Sequence, residues 1–75
     1  MLISPKKTLQ EKIKQEEAHY DELINENKVT YESVKDFKVD AITAEKAINK
    51  MYSINLKIKA SRRRIEKLKK DLENL

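Results

Sequence analysis

A chain of 75 residues has room for one small domain and no more. It has no cysteine, no glycine and a single histidine. That excludes disulfides, thiolate zinc sites, a multi-histidine metal site, and the glycine-dependent turns of phosphate-cradling loops and most β architectures. Charged residues make up 40% of the chain with both signs interleaved, the composition of long helices and coiled coils, and the net charge of +4 permits an acidic partner without demanding one.

Met1, Leu2 and Ile3 are apolar, but Ser4, Pro5, Lys6 and Lys7 follow, which is not the pattern of a signal peptide. No apolar run approaches the roughly 18 residues that cross a bilayer. The expected location is therefore cytoplasmic, in the host cytoplasm if a phage encodes the chain. In general character, small, charged and rich in Lys, Ile and Asn, the sequence resembles phage and mobile-element accessory proteins. The likeness is one of style and rests on no motif.

Ser4 before Pro5 marks a helix start, a hydroxyl to cap free amides and then a residue with φ already set. Thr8 to Glu11 offers an alternative capping box. Leu9, Ile13, Tyr20, Leu23 and Ile24 then recur on one side, which predicts a helix A over about 5–25 with a stripe interrupted by Glu16. Asn25, Glu26, Asn27 and Lys28 break the apolar pattern, and asparagine favours turns. Over 30–38 the spacing of Tyr31, Val34 and Phe37 predicts a short helix. Val29 and Tyr31 alternate like a strand, but a lone strand would have nothing to pair with.

Asp40 or Thr43 caps the last helix, C, over about 41–75. Ala44, Ala47, Met51, Ile54, Ile58, Ser61, Ile65, Leu68, Leu72 and Leu75 follow alternating steps of three and four, a heptad seam. Helix C would be roughly 50 Å long and helix A roughly 30 Å, too short to cover it. A second apolar row, Ala41, Ile48, Tyr52 and Leu56, widens the first half of C to the arc of a helix packed against two others. Beyond Ile58 that row turns basic. The expectation is all-α: a small helical bundle or hairpin with a long C-terminal coiled-coil helix whose second half projects as an arm.

The uninterrupted seam asks for a partner, because isolated helices are marginal in water. The candidate partner-binding residues are Met51, Ile54, Ile58, Ile65, Leu68, Leu72 and Leu75. A basic face of Lys59, Arg62, Arg63, Arg64, Lys67, Lys69 and Lys70 lies beside them. It can meet phosphate or carboxylate, but no aromatic is interleaved to stack on bases. Glu16, Glu17, Asp21, Glu22 and Glu26 form an acidic strip on helix A. Pairing A antiparallel to C would bring the basic start of A to the basic end of C, leaving the arm poorly matched within one chain. Arg62 and Lys69 flank the seam on one side and Lys57 and Arg64 on the other, so a parallel pair of arms would oppose like charges. An acidic helix suits the arm better.

Glu16 and His19 have the Glu-x-x-His spacing of di-iron bundles, but one motif is half of such a site and helix C offers no inward carboxylate. No serine has a base and an oxyanion hole about it. Tyr20, Tyr31, Tyr52 and Phe37 read as core or interface anchors. The expected function is a small non-enzymatic protein-interaction module without metal or cofactor: an oligomeric adaptor, scaffold or inhibitor, self-associating as a dimer or docked on another protein. The alternative is a nucleic-acid-binding protein that uses the Lys57 to Lys70 face.

Overall fold

The computed structural model describes residues 4–35 and 38–75. They form two helices, α1 (Pro5–Val34) and α2 (Ala41–Glu73), packed side by side as an all-α hairpin of about 58 × 18 × 15 Å. The cross-helix contacts run in opposite senses. Glu16 meets Ser61 and Arg64, Tyr20 meets Arg62, and Glu26 meets Lys50. The helices are therefore antiparallel.

Pro5 occupies the first turn of α1, where its missing N–H costs nothing. Ser4 serves through its carbonyl, which accepts from the Thr8 N–H at 3.0 Å and the Thr8 hydroxyl at 3.2 Å. The expected Ser4 side-chain cap is not formed. Of the two caps considered for α2, Asp40 is the one used. Its carboxylate accepts from the Thr43 N–H at 2.7 Å, and Thr43 holds that carboxyl below its ordinary pKa, through its side chain and then its backbone. Lys70 lies in the last turn of α2, where a cation suits the helix dipole.

α1 does not stop at Asn25. No glycine or proline interrupts it after Pro5, and Thr30 and Ser33 near its end bond within the helix. The Thr30 hydroxyl donates to the Glu26 carbonyl at 2.9 Å, and the Ser33 hydroxyl to the Thr30 carbonyl at 2.6 Å. The separate short helix expected over 30–38 is therefore the last turn of α1 as far as Val34. Its Phe37 lies outside the described residues.

The longer α1 overturns the projecting arm. At about 1.5 Å per residue α1 is roughly 45 Å long and covers most of α2. Its own seam is Leu9, Ile13, Glu16, Tyr20, Leu23, Asn27, Thr30 and Val34, every one buried or half-buried. The core is centred on Leu23, Ile54 and Ile58 with Tyr20 against them. Each buried Leu or Ile of this kind contributes about 1.5–3 kcal/mol. Toward the free ends Ile65, Leu68 and Leu72 are half-buried beside the start of α1.

Candidate functional site

Every seam residue of α2 from Met51 to Leu72 faces α1, and Ile54 and Ile58 are buried there. Leu75 alone of the named seam stands mostly exposed, past the end of α2. The seam is thus filled from within the chain, because α1 is nine residues longer than the apolar pattern indicated. In the closed hairpin it offers little surface to a partner.

Two polar interruptions meet in this seam. Glu16 interrupts α1 and Ser61 interrupts α2, and the structure sets them against each other. The fully buried Ser61 donates to Glu16 Oε1 at 2.7 Å, and Arg64 Nε donates to the same oxygen at 2.9 Å. The Ser61 bond, with the Arg64 bond after it, holds the Glu16 carboxyl below the usual carboxylate range. Asn27 Nδ2 donates to Asn55 Oδ1 at 3.1 Å, which leaves the buried Asn27 Oδ1 without a partner among the described residues. These contacts fix which residues face one another along the rod. His19 is exposed while Glu16 turns inward, so the Glu-x-x-His pair does not converge. Among the described residues no three His, Cys, Asp or Glu side chains come together.

The basic face stays at the surface. Lys59, Arg62, Arg63, Arg64, Lys67, Lys69 and Lys70 are all exposed. The expected mismatch with the acidic strip is corrected in part: Arg64 is taken by Glu16, and Arg62 Nη2 donates to the Tyr20 hydroxyl at 3.3 Å. Arg62 and Lys69 also border a shallow groove with Glu17, Tyr20 and Asp21. Glu22 is exposed, and Glu26 reaches Lys50 at 3.9 Å on the opposite flank. The hairpin brings the basic start of α1 to the basic end of α2. Residues 4–16 and 57–75 together hold twelve Lys and Arg against five Asp and Glu, whereas residues 17–56 hold five against eight. The mild net charge conceals a basic free end and a mildly acidic turn half.

The second apolar row of α2 was expected to pack inside the chain's own bundle. It does not, because two helices leave each with only one neighbour. Ile48, Tyr52 and Leu56 are exposed, and so are Ile24 and Tyr31 of α1, with exposures from 42% at Ile24 to 68% at Tyr52. Ile24, Tyr31, Ile48 and Tyr52 share one flank, whereas Leu56 lies with the exposed Ile42 on the side of α2 turned away from α1, and the exposed Val29 borders the opposite flank. Ile48, Asn55 and Arg62 are spaced by seven and lie on one side of α2. Tyr20 and Asn27 reach that side from α1, and Ile24 and Tyr31 stand next to them. Tyr20 is the packed anchor that was expected; Tyr31 and Tyr52 are not in the core. Sequence reasoning found the row on α2 but missed that Ile24 and Tyr31 join it, a link that the seven-residue spacing of Ile24 and Tyr31 carries. At the free end Leu75 is the one large exposed apolar residue among the described residues.

No described helix is long and apolar enough to cross a membrane. No family model, curated protein or solved structure matches this chain.

Proposed function

We propose that this chain is a non-enzymatic protein-interaction module, a helical hairpin that docks protein through side chains outside its seam. The observation that carries the reading is the exposed flank of Ile24, Tyr31, Ile48 and Tyr52. Four large apolar side chains, each about half exposed, make a patch on the order of 400 Å², about the size of the largest patch on a typical monomer, which is often an interaction site. Its tyrosines add aromatic area with a polar tip, the chemistry enriched at protein interfaces. The seam holds the hairpin together, so an adaptor, scaffold or inhibitor role passes from the seam to this flank.

Site-specific photocrosslinking tests the reading. A benzophenone side chain placed at Tyr31 or Tyr52 of the full chain, in cells that produce it, is expected to give protein adducts, and one at Lys67 on the outer surface is not. Adducts no more frequent at Tyr52 than at Lys67 would end the docking reading.

The segregated charge favours one second reading. The free end holds twelve Lys and Arg against five Asp and Glu, and phosphate contacts need little more than exposed cations. On this reading the free end binds nucleic acid without reading sequence, since none of its exposed side chains forms a stacking platform.

A further inference from the structure

We propose that the occupant of the apolar flank is a second copy of this chain, joined about an antiparallel two-fold axis into a four-helix bundle. The inference rests on the docking reading above and names the partner.

Surface area is the first argument. A compact monomer of 8.9 kDa exposes about 4,800 Å² by the size scaling of folded proteins, and this chain exposes 6465 Å². The excess is enough to bury the roughly 800 Å² per partner of a standard interface and leave a normal surface behind. Small domains without disulfides or metals commonly find their missing stability in oligomerisation.

The arrangement of residues on the flank is the second. On α2, Ile48 lies four residues before Tyr52, and Glu45 and Lys59 lie seven to either side, on the same heptad position as Tyr52. An antiparallel two-fold through Tyr52 therefore sets Glu45 against Lys59 of the second copy, with Ile48 and Tyr52 packed between them. A parallel two-fold would oppose Glu45 to Glu45 and Lys59 to Lys59. On α1, Asp21 and Lys28 straddle Ile24 with opposite charge, and the same antiparallel operation sets Asp21 against Lys28 of the second copy. The cross-helix contacts put Ile24 level with the stretch of α2 between Tyr52 and Ile58, within about 9 Å of Tyr52 along the rod, so a single axis passes near the centre of the flank on both helices. Asp21, Lys28, Glu45 and Lys59 are all exposed, and among the described residues none is in an ion pair within the chain. Two-fold interfaces must be self-complementary in this way.

Charge at long range selects the same arrangement. Antiparallel overlap of the turn halves carries the two basic free ends to opposite tips of a rod on the order of 70 Å long. Parallel overlap would press them together, and like-charge juxtaposition of that kind is strongly unfavourable.

Sedimentation equilibrium of the full chain, with circular dichroism as a check on the helices, tests the proposal. The wild type is expected to be a dimer at tens of micromolar. Tyr52→Glu should weaken association at least tenfold while the chain stays helical, since Tyr52 is mostly exposed in the hairpin. Glu45→Lys and Lys59→Glu should each weaken it several-fold, and the two changes in one chain should restore it, which a loss of folding cannot imitate. A wild type that is monomeric at several hundred micromolar overturns the second copy. The photocrosslinking then judges docking separately, because adducts to another protein at Tyr52 would leave that reading standing. A dimer unaffected by Tyr52→Glu, or a double charge exchange that fails to restore association, also overturns the proposal.

Discussion

The turn half and the free-end half of the hairpin share one seam and wear opposite exteriors. Near the turn the exterior carries Ile24, Val29, Tyr31, Ile42, Ile48, Tyr52 and Leu56 among a slight excess of acidic residues. Toward the free ends it carries Arg62, Arg63, Lys67, Lys69 and Lys70, and Leu75 is the one large apolar side chain exposed among the described residues there. Antiparallel pairing of α1 and α2 needs only the seam, which both halves supply. The exterior difference is therefore not required by the fold, and it sets an apolar part of the surface apart from a basic one.

The sharpest way to break that separation is to put one charge on each side of the helix. Ile54→Lys buries an unpaired ammonium among Leu23 and Ile58, and should cost more than about 4 kcal/mol, enough to unfold both halves together. Leu56→Lys, two residues on, lies on the exterior and should change the stability of the hairpin by no more than about 0.5 kcal/mol. Thermal melts in dilute solution distinguish them. Equal losses would mean that the exterior near the turn belongs to the core.

How much of this was legible in the sequence depends on what occupies the seam. In α2 the steps of three and four are filled almost throughout by Ala, Met, Ile and Leu, and the helix and its inward face follow directly. In α1 the same steps pass through Glu16, Asn27 and Thr30, and a reading that follows only apolar residues sees an interruption and then an end. The physical reason is local. Thr30 turns its hydroxyl onto its own helix, Glu16 finds Ser61 and Arg64, and Asn27 finds Asn55 through its amide nitrogen, so the polar residues are held in the seam by partners that an apolar pattern does not show. The shortened α1 then produced the projecting arm and the assignment of the seam to a partner. The row of Ile48, Tyr52 and Leu56 was visible, but with only two helices in the chain nothing covers it. Its meaning depended on helix count, which periodicity does not give.

The next effect in size concerns the basic end. Changing Arg62, Arg63 and Arg64 together to glutamine should leave the helices formed, since glutamine keeps good helix propensity and all three lie off the seam. Self-association through the flank should change less than about threefold between 50 and 200 mM salt, because apolar burial is not screened. If instead the free end holds nucleic acid, affinity for arbitrary duplex DNA should fall log-linearly with salt, and the triple change should flatten the slope by about one unit for each phosphate it leaves without a cation. The expected result is weak DNA binding at physiological salt. Tight binding that the glutamine variant abolishes would make the free end the principal site.

The smallest effect lies where the two halves meet. Glu16 accepts from Ser61 and Arg64, and its carboxyl is held below the ordinary value of 4.5 by those bonds, Ser61 first. A carboxyl whose folded pKa is depressed contributes stability that is fully present above its unfolded pKa and is lost as pH falls through the folded value. Stability should therefore be level from neutral pH to about pH 5 and decline below the unfolded value near 4.3. Asp40, likewise lowered by Thr43, adds to the same decline. Arg64 is half exposed, so solvent screens much of the pair and the part owed to Glu16 should stay within about 1 kcal/mol. Glu16→Gln keeps an acceptor for Ser61 and Arg64 but cannot titrate, so urea melts at pH 3, 5 and 7 should give a shallower acid loss in the variant. The remaining slope should fall further when Asp40→Asn is added, because that carboxylate caps α2 independently, about half the rod away from Glu16, leaving the part owed to Glu32, which the hydrogen bond from Lys35 also holds low. An unchanged slope in Glu16→Gln would mean that the bond to Ser61 persists with the carboxyl protonated, and that the junction between the halves is held by packing rather than by charge.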